Sequence, residues 1–176
     1  MELTQAFGKM LLSSVFVLSA TSKLRDFNGF RTHLASIIPV TSAITYTLTG
    51  GAISAEFLIT LTLWVDRTVH LAFLLALLLL TAFSVFIAYL LVSNKRVSCA
   101  CFGASTRPVS VVHLGRNIAL LLIAGICMVA SRGSASPAMF DYLLVLAPAL
   151  VSAAIVARLD DISTFFSSPS SESFKP

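Results

Sequence analysis

The feature that most constrains this chain is a set of long apolar runs that carry almost no charge. The stretch 69–93 has no acidic residue, lysine or arginine, and residues 77–80 are four consecutive leucines. A bilayer core of about 30 Å needs roughly 20 apolar residues in a helix. Only 11% of the 176 residues are charged, whereas an average soluble domain has about 25%. We therefore expect an all-α membrane protein.

Five runs are long enough to cross the membrane, which predicts a four-helix transmembrane bundle with a fifth transmembrane helix. After the first run, residues 30–40 mix basic and apolar side chains, which is typical of an amphipathic helix at the interface; it should end near Pro39. We expect one membrane domain over 1–158 and a disordered polar tail over 159–176. The predicted spans are 5–22, 44–65, 69–93, 116–131 and 142–157.

The basic residues flank the apolar runs, where lysine and arginine contact lipid headgroups and set topology. The sequence has no basic stripe with interleaved aromatic residues, so it does not indicate nucleic-acid binding. Glu2 and Lys9 make a poor signal peptide, and we expect the first span to be retained. Five spans put nine of the 12 basic residues on the side that carries the connector between the third and fourth spans. This count predicts a cytoplasmic connector.

That connector contains Cys99 and Cys101, one residue apart and followed by Gly103. A disulfide between them needs a tight turn, because the Cα atoms must come within about 7 Å. Strained, exposed disulfides are the more oxidising and labile ones, and nearby cations favour the thiolate. The pattern favours a redox-active dithiol, with a reduced structural pair as an alternative. The nearby basic residues are Lys95, Arg96, Arg107 and Arg116.

Metal binding is a further alternative for the same cysteines. His113 follows in the sequence, and Cys99, Cys101 and His113 together could bind Cu(I) or form an open zinc site. No fourth cysteine or histidine is near them in the sequence. Cys127 lies within the fourth span, and we expect it to be a small core residue because an apolar setting suppresses its thiolate.

Glu56 lies in the middle of the second span, where an ionised carboxylate is costly. It should face the bundle and be protonated or paired, and Lys9 on the antiparallel first span is the expected partner. Two interpretations stay open, a structural pair and a proton acceptor for coupled electron transfer. Arg116 is expected to open the fourth span, where a cation opposes the helix dipole. This indicates either a specific anchoring role or contact with lipid headgroups.

The stretch 95–103, Lys-Arg-Val-Ser-Cys-Ala-Cys-Phe-Gly, followed by Arg116-Asn117, resembles the methylamine utilisation protein MauE family. This family belongs to the wider MauE/DoxX group of redox-associated membrane proteins. The resemblance covers roughly residues 5–130, and Ala100 departs from it, since the family usually has glycine between the cysteines. Alanine disfavours positive φ, which would alter the strain of a small ring. Further matching positions are Lys23, Asp26, Phe27 and Glu56.

The resemblance implies a thiol–disulfide oxidoreductase that supports disulfide formation or maturation of an exported protein. In the methylamine system the beneficiary is the disulfide-rich small subunit of methylamine dehydrogenase. The implied partner is a thioredoxin-like protein outside the cell, which favours the outer face for the cysteines against the charge count. A quinone could accept the electrons, although the sequence has no quinone motif strong enough to identify a site. The implied catalytic residues are Cys99 and Cys101, with supporting residues Lys23, Glu56, Gly103, Arg116 and Asn117.

Two other functions remain open at this stage. One is a non-enzymatic membrane subunit or chaperone that stabilises a partner protein, for which loss of the cysteines would be tolerated. The other is copper or zinc handling, for which the metal would co-purify in proportion to the protein.

Overall fold

The computed structural model describes residues 1–38, 40–93, 111–132 and 137–166, with side chains as far as residue 158. Six α-helices account for most of these residues, and a short 3₁₀ turn, Asp66–Thr68, precedes the fourth. The helices are α1 (Glu2–Arg25), α2 (Phe27–Ile37), α3 (Ser42–Leu63), α4 (Val69–Val92), α5 (Val111–Ala130) and α6 (Met139–Phe166).

Within these described ranges, α1, α3, α4, α5 and α6 are long and apolar enough to cross a membrane. The chain is therefore an all-helical, multi-pass membrane protein, as predicted. The remaining helix, α2, connects α1 to α3 and occupies the position expected for the interfacial helix. Asp26 caps α2, since its side chain accepts a hydrogen bond from the Gly29 N–H at 3.1 Å. This cap starts α2 at Phe27, three residues before the predicted start.

The first helix lies at the centre of the bundle. In its most apolar segment 61% of residues are buried, compared with 17–33% in the other spanning helices. It packs against α3, α5 and α6, while α4 packs against α3 and α5. Because α1 is surrounded, polar side chains on it are forced into the interior. The apolar core around it includes Leu11, Leu12, Phe16, Phe73, Ala76, Leu120 and Ala124.

The bundle has two ends, which we name after α2 and Asp66. The α2 end holds the end of α1, the start of α3, the end of α4 and the start of α5. At the Asp66 end, His70 at the start of α4 lies 3.1 Å from the Ser131 hydroxyl just after α5, measured from Nδ1 to Oγ. The chain therefore leaves α4 at Ser93 and enters α5 at Val111 on the α2 end.

The fourth spanning helix differs from its predicted bounds. It is helical from Val111, five residues before the expected start at 116, so Arg116 lies in its second turn and does not open the helix. The polar residues that interrupt the hydropathy here are buried inside the bundle, with His113 and Arg116 each 4% exposed. In a hydropathy pattern such polar residues indicate the end of a membrane span. In the structure they lie within the helix and are enclosed by neighbouring helices.

The last helix also exceeds its predicted length. It continues to Phe166, eight residues beyond 158, where the polar tail was expected to begin. Pro148 lies within it. Residues 167–176 of the predicted tail lie outside the described residues.

Candidate functional site

Glu56 of α3 forms an ion pair with Lys23 of α1 inside the bundle. Lys23 Nζ donates hydrogen bonds to Glu56 Oε1 and, at 2.8 Å, to Ser19 Oγ. The Ser19 hydroxyl in turn donates to Glu56 Oε1 at 2.9 Å. Ser19 and Lys23 are four residues apart, so they share one face of α1. Lys23 is 2% exposed and Glu56 is 0% exposed, which makes this a fully enclosed ion pair.

The prediction that Lys9 pairs with Glu56 is wrong. Lys9 Nζ lies 3.0 Å from Asp66 Oδ1, at the opposite end of the bundle. The two helices are antiparallel, and Lys9 is about 21 Å from Lys23 along α1 at 1.5 Å per residue. The register of α1 against α3 therefore puts Lys23 beside Glu56 and Lys9 beside Asp66. That register depends on side-chain packing, which the sequence pattern does not reveal.

A cavity lined by both polar and apolar side chains lies beside the buried ion pair. Apolar side chains from α1, α4 and α5 form part of its wall, and the Phe83 ring centre lies 4.9 Å from Lys23 Nζ. Phe30 of α2 approaches the same ammonium group at 5.6 Å. At these distances the ring faces attract the cation, which helps to hold it away from water. The polar residues that line the cavity are Ser19, Lys23, Glu56, Arg116 and Asn117.

Four of the predicted supporting residues, Lys23, Glu56, Arg116 and Asn117, therefore meet at one cavity although they come from three helices. Arg116 and Asn117 are 4% and 5% exposed, so both side chains face the interior of the bundle. Sequence reasoning missed Ser19, whose position one helical turn before Lys23 was the available signal. It also missed Phe83, which looked like any other apolar residue of its span.

The cysteine predictions cannot be placed on this geometry. Cys99, Cys101 and Gly103 lie outside the described residues, as does Ala100. Of the alternative metal ligands, only His113 is described, and it is buried on α5. No group of three histidine, cysteine or acidic residues in the described ranges could hold a metal ion. The metal alternative therefore stays a prediction about the connector.

The third cysteine, Cys127, is a core residue. It is 1% exposed, and its Sγ donates to the Thr4 carbonyl oxygen at 3.4 Å. A Cβ atom on Gly8 would lie 2.2 Å from that sulfur, so glycine is needed for α1 and α5 to approach this closely. Along α5, Cys127 is about 24 Å from Val111, near the Asp66 end. It therefore lies far from the end at which the connector begins and ends.

A second polar cluster lies at the Asp66 end and involves α6. Lys9 is 1% exposed, and besides the ion pair with Asp66 it donates a hydrogen bond to the Tyr142 hydroxyl at 3.3 Å. The Tyr142 ring stacks on Trp64 with 5.5 Å between ring centres. These contacts link α6 to α1 and to the end of α3.

The chain was compared with known protein families, curated proteins and solved structures. A family model described as methylamine utilisation protein MauE matches residues 1–130. The match covers α1 to α5, including every polar residue that lines the cavity, and ends before α6. No curated protein and no solved structure matches the chain.

Proposed function

Because the chain belongs to the methylamine utilisation protein MauE family, we propose that it is a membrane thiol–disulfide redox protein acting through Cys99 and Cys101. The family name implies a role in methylamine utilisation. Within that role, the protein supports disulfide formation or maturation of an exported protein. Its redox partner is a thioredoxin-like protein, and the connector with the two cysteines faces the outside of the cell.

The observation that carries this proposal is the enclosed Lys23–Glu56 pair with Arg116 and Asn117 on the same cavity. Ionisable residues inside a membrane bundle are costly, and they usually mark functional sites. Two cations and one carboxylate line the cavity, and a positive potential favours a thiolate over a thiol. The connector joins α4 and α5 at the end nearer this cavity. Lys23 and Arg116 are therefore proposed to favour the reactive thiolate.

In the oxidising direction, a thiolate of the partner attacks the Cys99–Cys101 disulfide and forms a mixed disulfide. The partner's second thiolate then attacks that bond, so the partner leaves as a disulfide. Cys99 and Cys101 gain two electrons and two protons and become thiols. Glu56 is the proposed group for handling protons, and an electron acceptor of the quinone class would restore the disulfide. Gly103 and Asn117 have positioning roles.

The experiment is to trap the partner. Cys99→Ser and Cys101→Ser are expressed singly in cells, and membranes are quenched in acid and separated without reductant. One of the two variants should accumulate a mixed disulfide with a thioredoxin-like protein. Its remaining thiolate attacks the partner's disulfide in the reverse reaction, and the chain lacks the second cysteine that would resolve the product. Cys127→Ser is the matched control, since this buried sulfur should have no effect on trapping. Full maturation of the client by the Cys99→Ser/Cys101→Ser double variant would contradict the proposal.

A further inference from the structure

The two oxygen atoms of the Glu56 carboxylate differ in the number of hydrogen bonds that they accept. Oε1 accepts hydrogen bonds from both Lys23 and Ser19. Oε2 is buried and accepts no hydrogen bond from any residue in the described ranges. A buried carboxylate oxygen without a donor is strongly disfavoured, and buried polar groups are normally satisfied by protein or by ordered water. Oε2 therefore lacks the hydrogen-bond donor that a buried carboxylate oxygen normally has.

The cavity beside Glu56 is of the right size for that donor. The volume open to the centre of a water-sized sphere is about 20 Å³, and one water needs roughly 10–15 Å³ measured in this way. A bound water also needs two to four polar partners. Glu56 itself, Arg116 and Asn117 are among the residues that line the space.

We propose that this cavity is a water-binding site, and that its water donates to Glu56 Oε2 and exchanges protons with it. A proton delivered through the water binds Oε2 and leaves a neutral carboxylic acid, while Lys23 stays at Oε1. The charged groups facing Glu56 are Lys23 from α1 and Arg116 from α5. The residues of α4 that line the cavity, Leu80 and Phe83, are apolar and add no charge. The inference depends on the described helices alone and does not require the cysteine chemistry.

Radiolytic labelling tests the water site directly. Ionising radiation converts a bound water into a hydroxyl radical, which oxidises the nearest side chain even when bulk solvent has no access. Phe16 lines the cavity and is 2% exposed, whereas Phe73 is 0% exposed and is not among the described residues that line it. We expect Phe16 to be labelled several-fold faster than Phe73. Equal rates would mean that the cavity is dry and would overturn the proposal.

The variant Asn117→Leu sharpens this test. It removes a polar group from the cavity wall with little change in volume, so the water should bind less well and Phe16 should be labelled at the rate of Phe73. Labelling of Phe16 that persists unchanged would contradict a water held in this cavity. If the variant does not fold, the ratio of Phe16 to Phe73 labelling in the wild-type chain still tests whether the cavity holds water. The Cys99→Ser/Cys101→Ser variant should keep the wild-type ratio, so failure of the redox proposal is distinguishable.

Infrared spectra test the proton exchange. The carboxylic acid band of Glu56 is identified as the band that disappears in Glu56→Gln. It should appear as the pH is lowered and shift on transfer from H₂O to D₂O, because the water brings solvent protons to Oε2. A band that keeps its H₂O position, or that never appears while the protein stays folded, would overturn this part of the proposal.

Discussion

At the scale of single residues, Lys9 and Lys23 are both buried in the described part of the bundle, but their acidic partners differ in exposure. Lys23 faces a carboxylate that is itself fully buried, whereas Asp66, the partner of Lys9, is 59% exposed. A half-exposed carboxylate retains much of its hydration, so loss of Lys9 leaves it solvated. Loss of Lys23 would instead leave the buried Glu56 carboxylate without a counter-ion. Of these two ion pairs, Lys23–Glu56 is therefore the more sensitive to the loss of one partner.

Breaking this pair from one side should be more harmful than removing it entirely. Lys23→Met leaves Glu56 without its counter-ion, and we expect a loss of about 3–5 kcal/mol, as for other buried ion pairs. The double variant Lys23→Met/Glu56→Leu should recover most of that loss. Denaturant unfolding in detergent measures both. Arg25→Met, at an exposed position on the same helix, is the control, and a double variant no better than the single one would contradict the account.

The contact between Gly8 and Cys127 gives a second prediction. Gly8→Ala puts a methyl group against the Cys127 sulfur, and overpacking of this kind costs about 1–3 kcal/mol. Gly51→Ala is the control, because nothing lies within 4 Å of its added Cβ and alanine favours the helix by about 1 kcal/mol. Thermal unfolding of both variants should shift in opposite directions. A neutral Gly8→Ala would show that α1 and α5 are not packed this closely.

At the scale of helices, α6 is fixed to the family-matched bundle largely by α1. Tyr142 is the residue where a hydrogen bond from Lys9 and the ring of Trp64 meet. Trp64 is the single tryptophan of the chain, so its fluorescence reports on this contact. Tyr142→Ala should change the Trp64 emission and lower the unfolding temperature, whereas Phe140→Ala, at a position 71% exposed, should do neither. Unchanged emission in Tyr142→Ala would contradict the docking of α6 described here.

The helices themselves follow from the sequence more securely than their contacts. Apolar runs of about 20 residues have few alternatives in a bilayer, and all five spans were predicted. The hydropathy pattern gave the wrong start for α5 because His113 and Arg116 are polar. Hydropathy cannot distinguish a polar residue at a helix end from one enclosed by neighbouring helices. The pairing of Glu56 was wrong because register is set by packing between helices. Lys23, Arg116 and Asn117 were singled out by family resemblance, whereas their meeting at one cavity required the fold.

At the scale of the whole molecule, the buried site changes how the charge count is interpreted. Lys9, Lys23 and Arg116 are enclosed, so they serve the interior and not the lipid headgroups that the positive-inside rule counts. The remaining basic residues still favour a cytoplasmic connector, whereas a disulfide partner outside the cell requires the opposite. The redox proposal therefore makes a definite statement about orientation.

We expect Cys101 to face outward. In the Cys99→Ser/Cys127→Ser background Cys101 is the single thiol, and a membrane-impermeant maleimide should label it in intact cells. Lysed cells give the maximum labelling, and a variant with all three cysteines replaced gives the background. Labelling only after lysis would place the connector inside and would contradict exchange with an exported partner.

The central claim is that Cys99 and Cys101 alternate between a disulfide and two thiols. Its most direct measurement is the redox state of this pair in cells, in the Cys127→Ser background. Cells are quenched in acid, free thiols are blocked with a small alkylating reagent, and thiols released by reductant are then tagged with a large maleimide. We expect two tags per chain in part of the population, and a smaller fraction after brief treatment of the cells with a reductant. A pair that is found only as thiols, with or without an oxidant, would contradict the account.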